Sequence, residues 1–538
     1  MSGSSTYYVT TPIYYVNDVP HIGHAYATLA CDVLARFKRL DGYDVHFLTG
    51  TDEHGQKVEK AAAAAGMTPQ AFTDKVSQSF RDLIGVMNYT PDGFIRTTEP
   101  RHYASCQALW EKLVAAGDIY LGKYAGWYSV RDEAFYAEDE TTVGPDGKRR
   151  AGPVNNEVEW VEEPSYFFKL SAWGDRLLEF YEKNPRFIAP ESRRNEVISF
   201  VKGGLQDLSV SRTSFSWGIP VPGDEKHIMY VWLDALTNYI TEVGYPDESN
   251  PLWRFWPADV HVVGKDIIRF HCVFWPAFLL SAGLAAPKRV FASGWWTIEG
   301  QKISKSLGNA IDPVAVTKEF GVDPVRYFLL REVPFGNDGD YQRRALIGRM
   351  NSDLANAYGN LCQRVLSIVA KNCGEKVPPK GDLVEADTLL LDRAKGLLAV
   401  VRAELDEQAF HKALTAIWEV IADANRYVDA QAPWALAKTD PVRRDTVLWV
   451  LAETIRRITL LVQPFMPDST AKILDQLAVA PAARVYAAFD QELVPGTALP
   501  PPQGVFPRFV EPTAEPVAKA AKPPKAPKPP KVSDKAAS

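Results

Sequence analysis

The order of strand-like and helix-like segments near the start of the chain constrains its fold more than any other feature. The apolar stretch TYYVTTPIYYV predicts a strand, and an amphipathic helix over residues 23–40 follows it. The stretch DVHFLTGTDEHG predicts a second strand with a polar end, and a second helix begins at Lys57. Because this strand–helix–strand order needs crossover connections, it predicts a parallel sheet. A ligand would then bind beyond the carboxyl ends of the strands.

The character of the sequence changes twice beyond this region. From about residue 119 to residue 224, short aromatic and charged stretches alternate with turns such as GPDGKRRAGP, which is typical of an inserted domain. Strands and helices alternate again from HIMYVWLDALTNYI onward. After about residue 342 only helical patterns remain, with apolar residues every three or four positions, and these predict a helical bundle. The final Pro-, Lys- and Ala-rich segment should be disordered.

Composition excludes several classes of protein. A chain of 538 residues should form two or three domains. Its net charge of −6 excludes a general basic coat, so any contact with nucleic acid must come from local patches. The five cysteines are scattered without a CxxC pair, which fits a cytoplasmic protein without disulfides. No apolar run is long enough to cross a bilayer.

The sequence PHIGH lies where the first strand gives way to the first helix. A helix N-terminus presents unpaired N–H groups and the positive end of the helix dipole, so it attracts phosphate. Gly23 lets a ligand approach the backbone, and the imidazoles of His21 and His24 can donate to phosphate oxygens. Alone, the same residues could equally be a helix cap and a packed side chain.

A second stretch, QKISKSLGN at residues 301–309, follows another predicted strand. Lys302 and Lys305 place two mobile positive charges on a segment that can approach a polyphosphate. A lysine about 4 Å from a phosphate oxygen contributes on the order of 4 kcal/mol in a partly screened site. A solvated basic turn explains this pair poorly once PHIGH and an inserted domain precede it.

These two stretches resemble the HIGH and KMSKS signatures of class I aminoacyl-tRNA synthetases. The chain has HIGH at residues 21–24 and KISKS at residues 302–306. Within that class it resembles the methionyl-tRNA synthetase family, from residue 7 to about residue 477. The similar stretches are TTPIYYVNDVPHIGHAY, FLTGTDEHGQKV, YVWLDALTNYI, VVGKDIIRFHCVFWPA and YVDAQAPWALAK.

The resemblance implies an α/β architecture with a Rossmann-type parallel sheet. An inserted connective domain splits this catalytic domain, and an α-helical anticodon-binding domain follows it. The expected boundaries are 1–118 and 226–295 for the two catalytic halves, 119–225 for the connective domain, 296–345 for the KISKS loop and stem-contact region, 346–510 for the anticodon-binding domain, and 511–538 for the tail.

The resemblance also implies three sets of site residues. The ATP-binding set comprises His21, Gly23, His24, Gly264, Asp266, Gly294, Lys302, Ile303 and Lys305, of which the two histidines and two lysines are catalytic. The methionine-binding set comprises Ile13, Tyr15, Asp52, Trp232, Ala235, Tyr239 and His271, with Asp52 on the ammonium group. The anticodon-binding set comprises Asn360, Arg364 and Trp434.

The residue types agree with a pocket for methionine, which is unbranched and polarizable. Such a side chain is recognised by shape, by contacts between sulfur and aromatic rings, and by a weak donor. Tyr15, Trp232 and Tyr239 can supply the rings, and the hydroxyl of Tyr15 can supply the donor.

Several of these residues, taken singly, could have a purely structural role. Without the resemblance, core packing accounts for Trp232 and Tyr239 better than ligand binding does. A helix N-cap is a serious alternative for Asp52. Glu53 and His54 are interpreted as residues of the local turn.

One departure from the family pattern lies in the connective domain. Many members carry zinc knuckles built from CxxC pairs there, whereas this chain reads GWYSVRDEAFYAEDE. Ser129 and Asp132 stand where such a pair is expected, and no cysteine lies between Cys106 and Cys272. We therefore expect a metal-free loop held by packing, and no structural zinc.

The resemblance implies a class I methionine–tRNA ligase. It would activate L-methionine with ATP to methionyl-adenylate and transfer it to the 3′ end of tRNA(Met), for translation initiation and elongation. Mg²⁺ should accompany ATP, held mainly by phosphates and water. We expect a cytoplasmic monomer, because no appended dimerisation domain is apparent.

Four alternatives remain open. A synthetase for leucine, isoleucine or valine usually has a larger editing insertion than the one found here. A cysteine enzyme would need a zinc in the pocket. A small-molecule nucleotidyltransferase with an HxGH turn would not need the helical half of the chain. A catalytically inactive RNA-binding scaffold would not need Lys302 and Lys305.

Overall fold

The computed structural model describes residues 5–17, 19–132, 134–152, 155–302 and 311–511. Parallel strands alternate with helices in the first part of the chain, as predicted. The strands are β1 (Thr6–Thr10), β2 (Tyr14–Tyr15), β3 (Asp44–Asp52) and β4 (Gly93–Arg96). The helices are α1 (Ile22–Leu40), α2 (Gln56–Ala64), α3 (Pro69–Val86) and α4 (Pro100–Ala115).

The prediction of one strand for TYYVTTPIYYV is wrong, because the stretch forms two strands with a break around Pro12. Proline has no N–H to donate to a ladder, so it does not continue a central strand. Both strands pair with β3, Thr10 opposite Leu48 and Tyr14 opposite Thr51. The offset between partners thus drops from 38 to 37 residues (48 − 10 and 51 − 14) across the break.

The inserted region contains small antiparallel sheets, and its longest pair of strands is β5 with β10. Its strands are β5 (Ile119–Ser129), β6 (Ala134–Tyr136), β7 (Thr141–Val143), β8 (Arg149–Ala151), β9 (Asn156–Glu157), β10 (Glu159–Phe168), β11 (Ile188–Ala189), β12 (Leu208–Ser209), β13 (Ser211–Arg212), β14 (Pro220–Val221) and β15 (Asp224–Met229). Its helices are α5 (Gly174–Lys183) and α6 (Glu191–Lys202). Within this region β11 rejoins the main sheet by pairing with the later strand at residues 290–293.

The second catalytic half returns to parallel strands and helices. Its elements are α7 (Val231–Thr241), β16 (Val260–Gly264), α8 (Trp275–Ser281), β17 (Val290–Ser293), β18 (Trp296–Ile298), β19 (Gln301–Lys302), α9 (Pro313–Phe320), α10 (Val322–Arg331) and β20 (Gly339–Tyr341). A π-helical turn, Phe270–Phe274, precedes α8. Short 3₁₀ helices in the chain cover Glu138–Glu140, Leu170–Trp173, Pro251–Phe255, Lys265–Ile267, Pro481–Ala483 and Tyr486–Ala488.

The main sheet has seven strands, all parallel, which confirms the predicted fold class. Its order is β11–β17–β16–β1–β3–β2, and β4 also pairs with β3. The order reverses between β1 and β16, and in open α/β sheets such a reversal opens a crevice at the carboxyl ends of the strands.

The last part of the chain is a helical bundle, as predicted. Its helices are α11 (Arg343–Arg349), α12 (Asn360–Asn372), α13 (Glu385–Asp406), α14 (Phe410–Gln431), α15 (Pro433–Thr439), α16 (Pro441–Val462) and α17 (Pro467–Gln476). A π-helical segment, Met350–Gly359, joins α11 to α12. Glu511, predicted as the first residue of the tail, pairs with Arg343, and the rest of the tail lies outside the described residues.

Arg326 joins α1 to this bundle. Its fully buried guanidinium donates to Asp32 of α1 at 2.7 Å, and to the carbonyls of Pro464 and Phe465 at 2.8 and 2.9 Å. A buried charge is tolerated only when it is paired and hydrogen-bonded, so these contacts fix α1 against the end of α16. No helix in the described ranges is long and apolar enough to span a membrane.

Candidate active site

Residues from two of the predicted sets meet at one edge of the sheet. Asp52 and Gly264 are the last residues of β3 and β16, and Gly294 directly follows β17. His21 stands at the start of α1, just beyond β1 and β2. The crevice predicted by the strand order is therefore lined by residues that the sequence assigns to ATP and to methionine.

His21 and His24 cap α1 reciprocally. Nδ1 of His21 accepts from the N–H of Gly23, and Nδ1 of His24 accepts from the N–H of His21, both at 3.1 Å. The two ring centroids are 3.9 Å apart. A Cβ on Gly23 would lie 2.9 Å from Cε1 of His21, so the turn has little room for a side chain there.

This capping arrangement leaves the rings suited to phosphate binding. An imidazole whose Nδ1 accepts a hydrogen bond carries its proton on Nε2 when it is neutral. Both rings therefore present an N–H donor on the edge opposite the helix backbone. The capping contacts use Nδ1, so they are compatible with the predicted role in phosphate binding, which would use Nε2.

A backbone hydrogen bond joins the start of α1 to the segment that precedes α9. The N–H of Ile22, at the first position of α1, donates to the carbonyl of Ile311 at 3.1 Å. Ile311 is the first described residue after the KISKS loop. The side chain of Lys302, and the predicted ATP residues Ile303 and Lys305, lie outside the described residues.

The predicted adenosine positions surround the ends of β16 and β17. Gly294 is tightly packed, since a Cβ there would lie 2.0 Å from the carbonyl oxygen of Asn337. RVFASGWWTIEG, the strand predicted before KISKS, is divided at Gly294 and Trp295 into β17 (Val290–Ser293) and β18 (Trp296–Ile298). Asp266 is exposed and accepts from Nε1 of Trp295 at 3.2 Å.

Asp52 is buried, 5 % exposed, at the carboxyl end of the central strand β3. The N-cap alternative is wrong, because α2 begins at Gln56 with Gly55 at its N-cap. Glu53 and His54 turn away into separate contacts, Glu53 with Arg96 at 2.7 Å. His54 lies 2.6 Å from Asp234, so both neighbours of Asp52 have structural partners.

An aromatic wall, comprising Trp232, Tyr239, Phe270 and His271, stands on α7 and the π-helical turn. The ring of Trp232 stacks on Phe270, with centroids 3.7 Å apart and planes 7° apart. The hydroxyl of Tyr239 lies 2.7 Å from Nε2 of His271. Ala235, also buried, lies on α7 between Trp232 and Tyr239.

Burial sets the protonation of this wall. It lowers the pKa of His271 to about 4 and raises the pKa of Tyr239. Both groups are therefore neutral at pH 7, and the wall presents polarizable rings without a formal charge. Phe270 is absent from the predicted set, although π-helical turns are frequent at functional sites.

Ile13 and Tyr15 complete the predicted methionine set from the other side of the sheet edge. Both are partly buried and pack against the core that includes Tyr239. The hydroxyl of Tyr15 donates to the carbonyl of His54 at 2.9 Å. A phenol has one proton, so donation to a thioether would require this hydrogen bond to break.

The connective loop that lacks cysteines is held by hydrogen bonds around Asp132. Its carboxylate accepts from Ser129 at 2.9 Å, from Tyr136 at 3.0 Å and from Asn156 at 2.5 Å. Ser129 and Asp132 stand at the expected knuckle positions. These bonds close the turn that a metal would otherwise hold, while the absence of zinc stays a prediction.

The predicted anticodon residues lie on α12 and at the start of α15. Trp434 is 48 % exposed, so its ring does not belong to the core of the bundle. The guanidinium of Arg364 lies 5.5 Å from the centroid of the Trp434 ring and pairs with Asp429 at 2.6 Å. Asn360 is exposed at the start of α12.

Comparison with known proteins identifies the family. The model for "tRNA synthetases class I (M)" matches residues 7–152 and 148–366, and the model for "Anticodon binding domain of methionyl tRNA ligase" matches residues 377–519. The chain belongs to the methionyl-tRNA synthetases. The methionine–tRNA ligase of Mesorhizobium japonicum is 59 % identical over 507 residues, 94 % of this chain and 98 % of that protein. The ligase of Brucella suis is 58 % identical over 506 residues, with the same shares covered.

A solved methionyl-tRNA synthetase has the same fold. The structure of the Mycobacterium tuberculosis enzyme in complex with methionyl-adenylate is 56 % identical, covers 94 % of this chain and 100 % of that chain, and has a TM-score of 0.92. In this chain Asn360, Arg364 and Trp434 lie on the helical bundle, whereas His21, Asp52 and the aromatic wall lie in the part of the chain that precedes it.

Proposed function

We propose that this chain activates L-methionine with ATP, forming methionyl-adenylate and diphosphate, and transfers the methionyl group to the 3′ end of tRNA(Met). One observation carries this proposal most directly. The capped start of α1, the carboxylate of Asp52 and the aromatic wall share the crevice at the carboxyl ends of the central strands.

Methionine is recognised at both of its ends. The carboxylate of Asp52, which is buried at the end of β3, pairs with the ammonium group. The thioether packs among Trp232, Ala235, Tyr239 and His271, with Ile13 and Tyr15 at the near side. A neutral His271 suits an uncharged side chain that is held by shape and by sulfur–ring contacts.

ATP lies along the opposite wall of the crevice. The Nε2 donors of His21 and His24, with the N-terminus of α1, hold the phosphates. Gly264, Asp266 and Gly294 border the adenosine, and Lys302, Ile303 and Lys305 come from the signature loop. Mg²⁺ would enter with ATP and would neutralise phosphate charge. The described residues at the start of α1 offer imidazole and N–H donors rather than carboxylate ligands, so the ion would be held mainly by the phosphates and water.

The first step is an in-line displacement at the α-phosphorus. A carboxylate oxygen of methionine forms the new P–O bond, and the bond to the diphosphate oxygen breaks. No side chain acts as a nucleophile, so the protein contributes by orienting the reactants and by placing donors where negative charge develops. In the second step a terminal ribose hydroxyl of tRNA attacks the activated carbonyl, and AMP leaves; in class I enzymes this is usually the 2′-OH.

The bundle reads the anticodon. Single-stranded RNA loops are recognised by stacking on aromatic rings and by hydrogen bonds to base edges. Trp434 supplies the ring, and Asn360 and Arg364 supply an amide and a guanidinium. We further propose the domain boundaries given above, a monomeric and cytoplasmic enzyme, and a connective domain without zinc.

Pyrophosphate exchange measured with each of the twenty amino acids, first without and then with tRNA, tests this function. We expect exchange with methionine alone, independent of tRNA. Exchange with leucine, isoleucine or valine would reassign the specificity, and no exchange with any amino acid would overturn the proposal. Charging of tRNA(Met) with labelled methionine then tests the second step.

A further inference from the structure

A carboxylate outside all three predicted sets lies between two buried imidazoles. Oδ2 of Asp234 is 2.6 Å from Nδ1 of His54, and its Oδ1 is 2.7 Å from Nε2 of His102. The outer nitrogen of His54 meets the hydroxyl of Tyr103 at 3.0 Å, and that of His102 meets the hydroxyl of Thr241 at 3.1 Å. We call Asp234, His54 and His102 the buried triad.

The buried triad is a hydrogen-bond network rather than a metal site. His102, Asp234 and the neighbouring Cys106 cluster tightly enough to suggest ligands. Two ligands at about 2.0–2.1 Å from a tetrahedral zinc would lie roughly 3.3 Å apart, however. The 2.7 Å between Nε2 of His102 and Oδ1 of Asp234 is a hydrogen-bond distance, and burial raises the pKa of the Cys106 thiol and keeps it protonated.

The triad joins the two walls that bind methionine. Asp234 lies on α7 between Trp232 and Ala235, so its position fixes the turn of α7 that carries Trp232. His54 follows Asp52 by two residues at the end of β3, and its carbonyl accepts from Tyr15. One carboxylate therefore connects the element that presents the side-chain pocket to the element that presents the ammonium partner.

The hydrogen bonds of the triad fix the distance between α7 and the end of β3. Each carboxylate oxygen takes one imidazole, so α7 cannot slide without breaking a charge-assisted bond in a buried site. Burial would raise the pKa of Asp234, but the two histidines outweigh it and hold the pKa at about 2. The carboxylate thus stays ionised, and both bonds persist across the neutral pH range.

We propose that Asp234 is a positioning residue for methionine, which sets the distance between Asp52 and the aromatic wall without touching the substrate. This inference rests on the proposed function. It implies that the triad governs the affinity and selectivity for methionine, while the ATP side of the crevice is unaffected.

Asp234→Asn in the full chain tests the proposal, because it keeps the shape and replaces one acceptor by a donor. In pyrophosphate exchange we expect the KM for methionine to rise at least tenfold, the KM for ATP to change less than twofold, and the preference for methionine over norleucine to fall several-fold. Exchange by the unsubstituted chain is the reference, and its failure would reject the proposed function rather than this inference.

Two variants of His102 test the same inference if Asp234→Asn folds poorly. Glutamine can place its amide N–H near the position of Nε2, whereas asparagine is too short. We expect His102→Gln to keep the KM for methionine within about threefold and His102→Asn to raise it like Asp234→Asn.

Glu453→Gln is the matched control. Glu453 is equally buried, and its carboxylate pairs with Arg456 at 2.6 Å and Arg457 at 2.9 Å, but it lies in the bundle on α16. It should lower thermal stability without changing the KM for methionine. The inference is overturned if Asp234→Asn and His102→Asn leave the KM for methionine unchanged, if both substrates are affected equally, or if Glu453→Gln produces the same split.

Discussion

Tyr239 and His271 share a hydrogen bond of 2.7 Å. The contact made by the other imidazole nitrogen, Nδ1, determines which of the two groups donates. Nδ1 of His271 lies 3.0 Å from the carbonyl of Ile267, which can only accept, so Nδ1 carries the proton. In the neutral ring, Nε2 therefore accepts from the hydroxyl of Tyr239. Protonation of His271 would put a second proton on Nε2, so the hydroxyl of Tyr239 would have to turn and accept instead of donating.

This relationship predicts a pH-dependent stability. Burial depresses the pKa of His271 from its ordinary value near 6.5 to about 4, so the unfolded state binds the proton more readily than the folded state. The contribution of neutral His271 to the free energy of unfolding, about 3 kcal/mol, is complete above pH 6.5 and is lost as the pH falls toward 4. His271→Gln, which does not titrate, should show a shallower fall in thermal midpoint between pH 6.5 and pH 4.5. Parallel curves for the two proteins would contradict this.

Asp52→Asn should abolish recognition of the ammonium group while keeping the shape of the site. Removing one partner of a buried ion pair costs about 3–5 kcal/mol, which corresponds to a loss of methionine activation of roughly a hundredfold to several thousandfold. The affinity for ATP, measured by direct binding, should change little. Exchange near the rate of the unsubstituted chain would remove Asp52 from the site.

The two nitrogens of His21 can be tested separately. His21→Asn keeps an acceptor for the N–H of Gly23 and a good N-cap, but it loses the Nε2 donor. We expect its thermal midpoint to match that of the unsubstituted chain, and its kcat for exchange to fall roughly ten- to a hundredfold, since a charge-assisted hydrogen bond contributes about 1.5–3 kcal/mol.

His21→Gln is the complementary variant, because its longer side chain can restore the distal donor. It should recover part of the activity at some cost in stability. If His21→Asn kept full activity, the ring would be a cap alone and the phosphate role would be wrong.

Local sequence signals predicted the parallel sheet, the helical bundle and the crevice at the carboxyl edge of the sheet, because each follows from neighbours in the chain. The break at Pro12 could have been predicted from the missing N–H. The role of His54 could not, since its partners Asp234 and Tyr103 are distant in sequence and no spacing rule joins them. Phe270 was not predicted either, because it is distant in sequence from Trp232, on which it stacks, and lies on a π-helical turn that the sequence pattern does not indicate.

Zinc analysis of the purified protein tests the proposal that the connective loop is free of metal. Since Ser129 and Asp132 replace a CxxC pair and Asp132 is satisfied by hydrogen bonds, we expect no stoichiometric zinc. Activity should survive chelation once Mg²⁺ is restored. One tightly bound zinc per chain would show that other ligands replace the cysteines.

Trp434→Ala separates tRNA recognition from amino-acid activation. The indole is half exposed beside Arg364, so it can act as a platform for a base of the anticodon loop. A stacked base contributes about 1–3 kcal/mol, so charging of tRNA(Met) should weaken roughly ten- to a hundredfold. Exchange of methionine and ATP should be unaltered, because the aromatic wall and the start of α1 lie outside the bundle.

Leu389→Ala is the control for this last prediction. Leu389 is also an exposed apolar residue of the bundle, 64 % accessible, but it lies on α13, which carries none of the predicted anticodon residues. It should leave both reactions unchanged. If Trp434→Ala reduced exchange in parallel with charging, or lowered the thermal midpoint by several degrees, its ring would be a structural element and the anticodon would have to be read elsewhere.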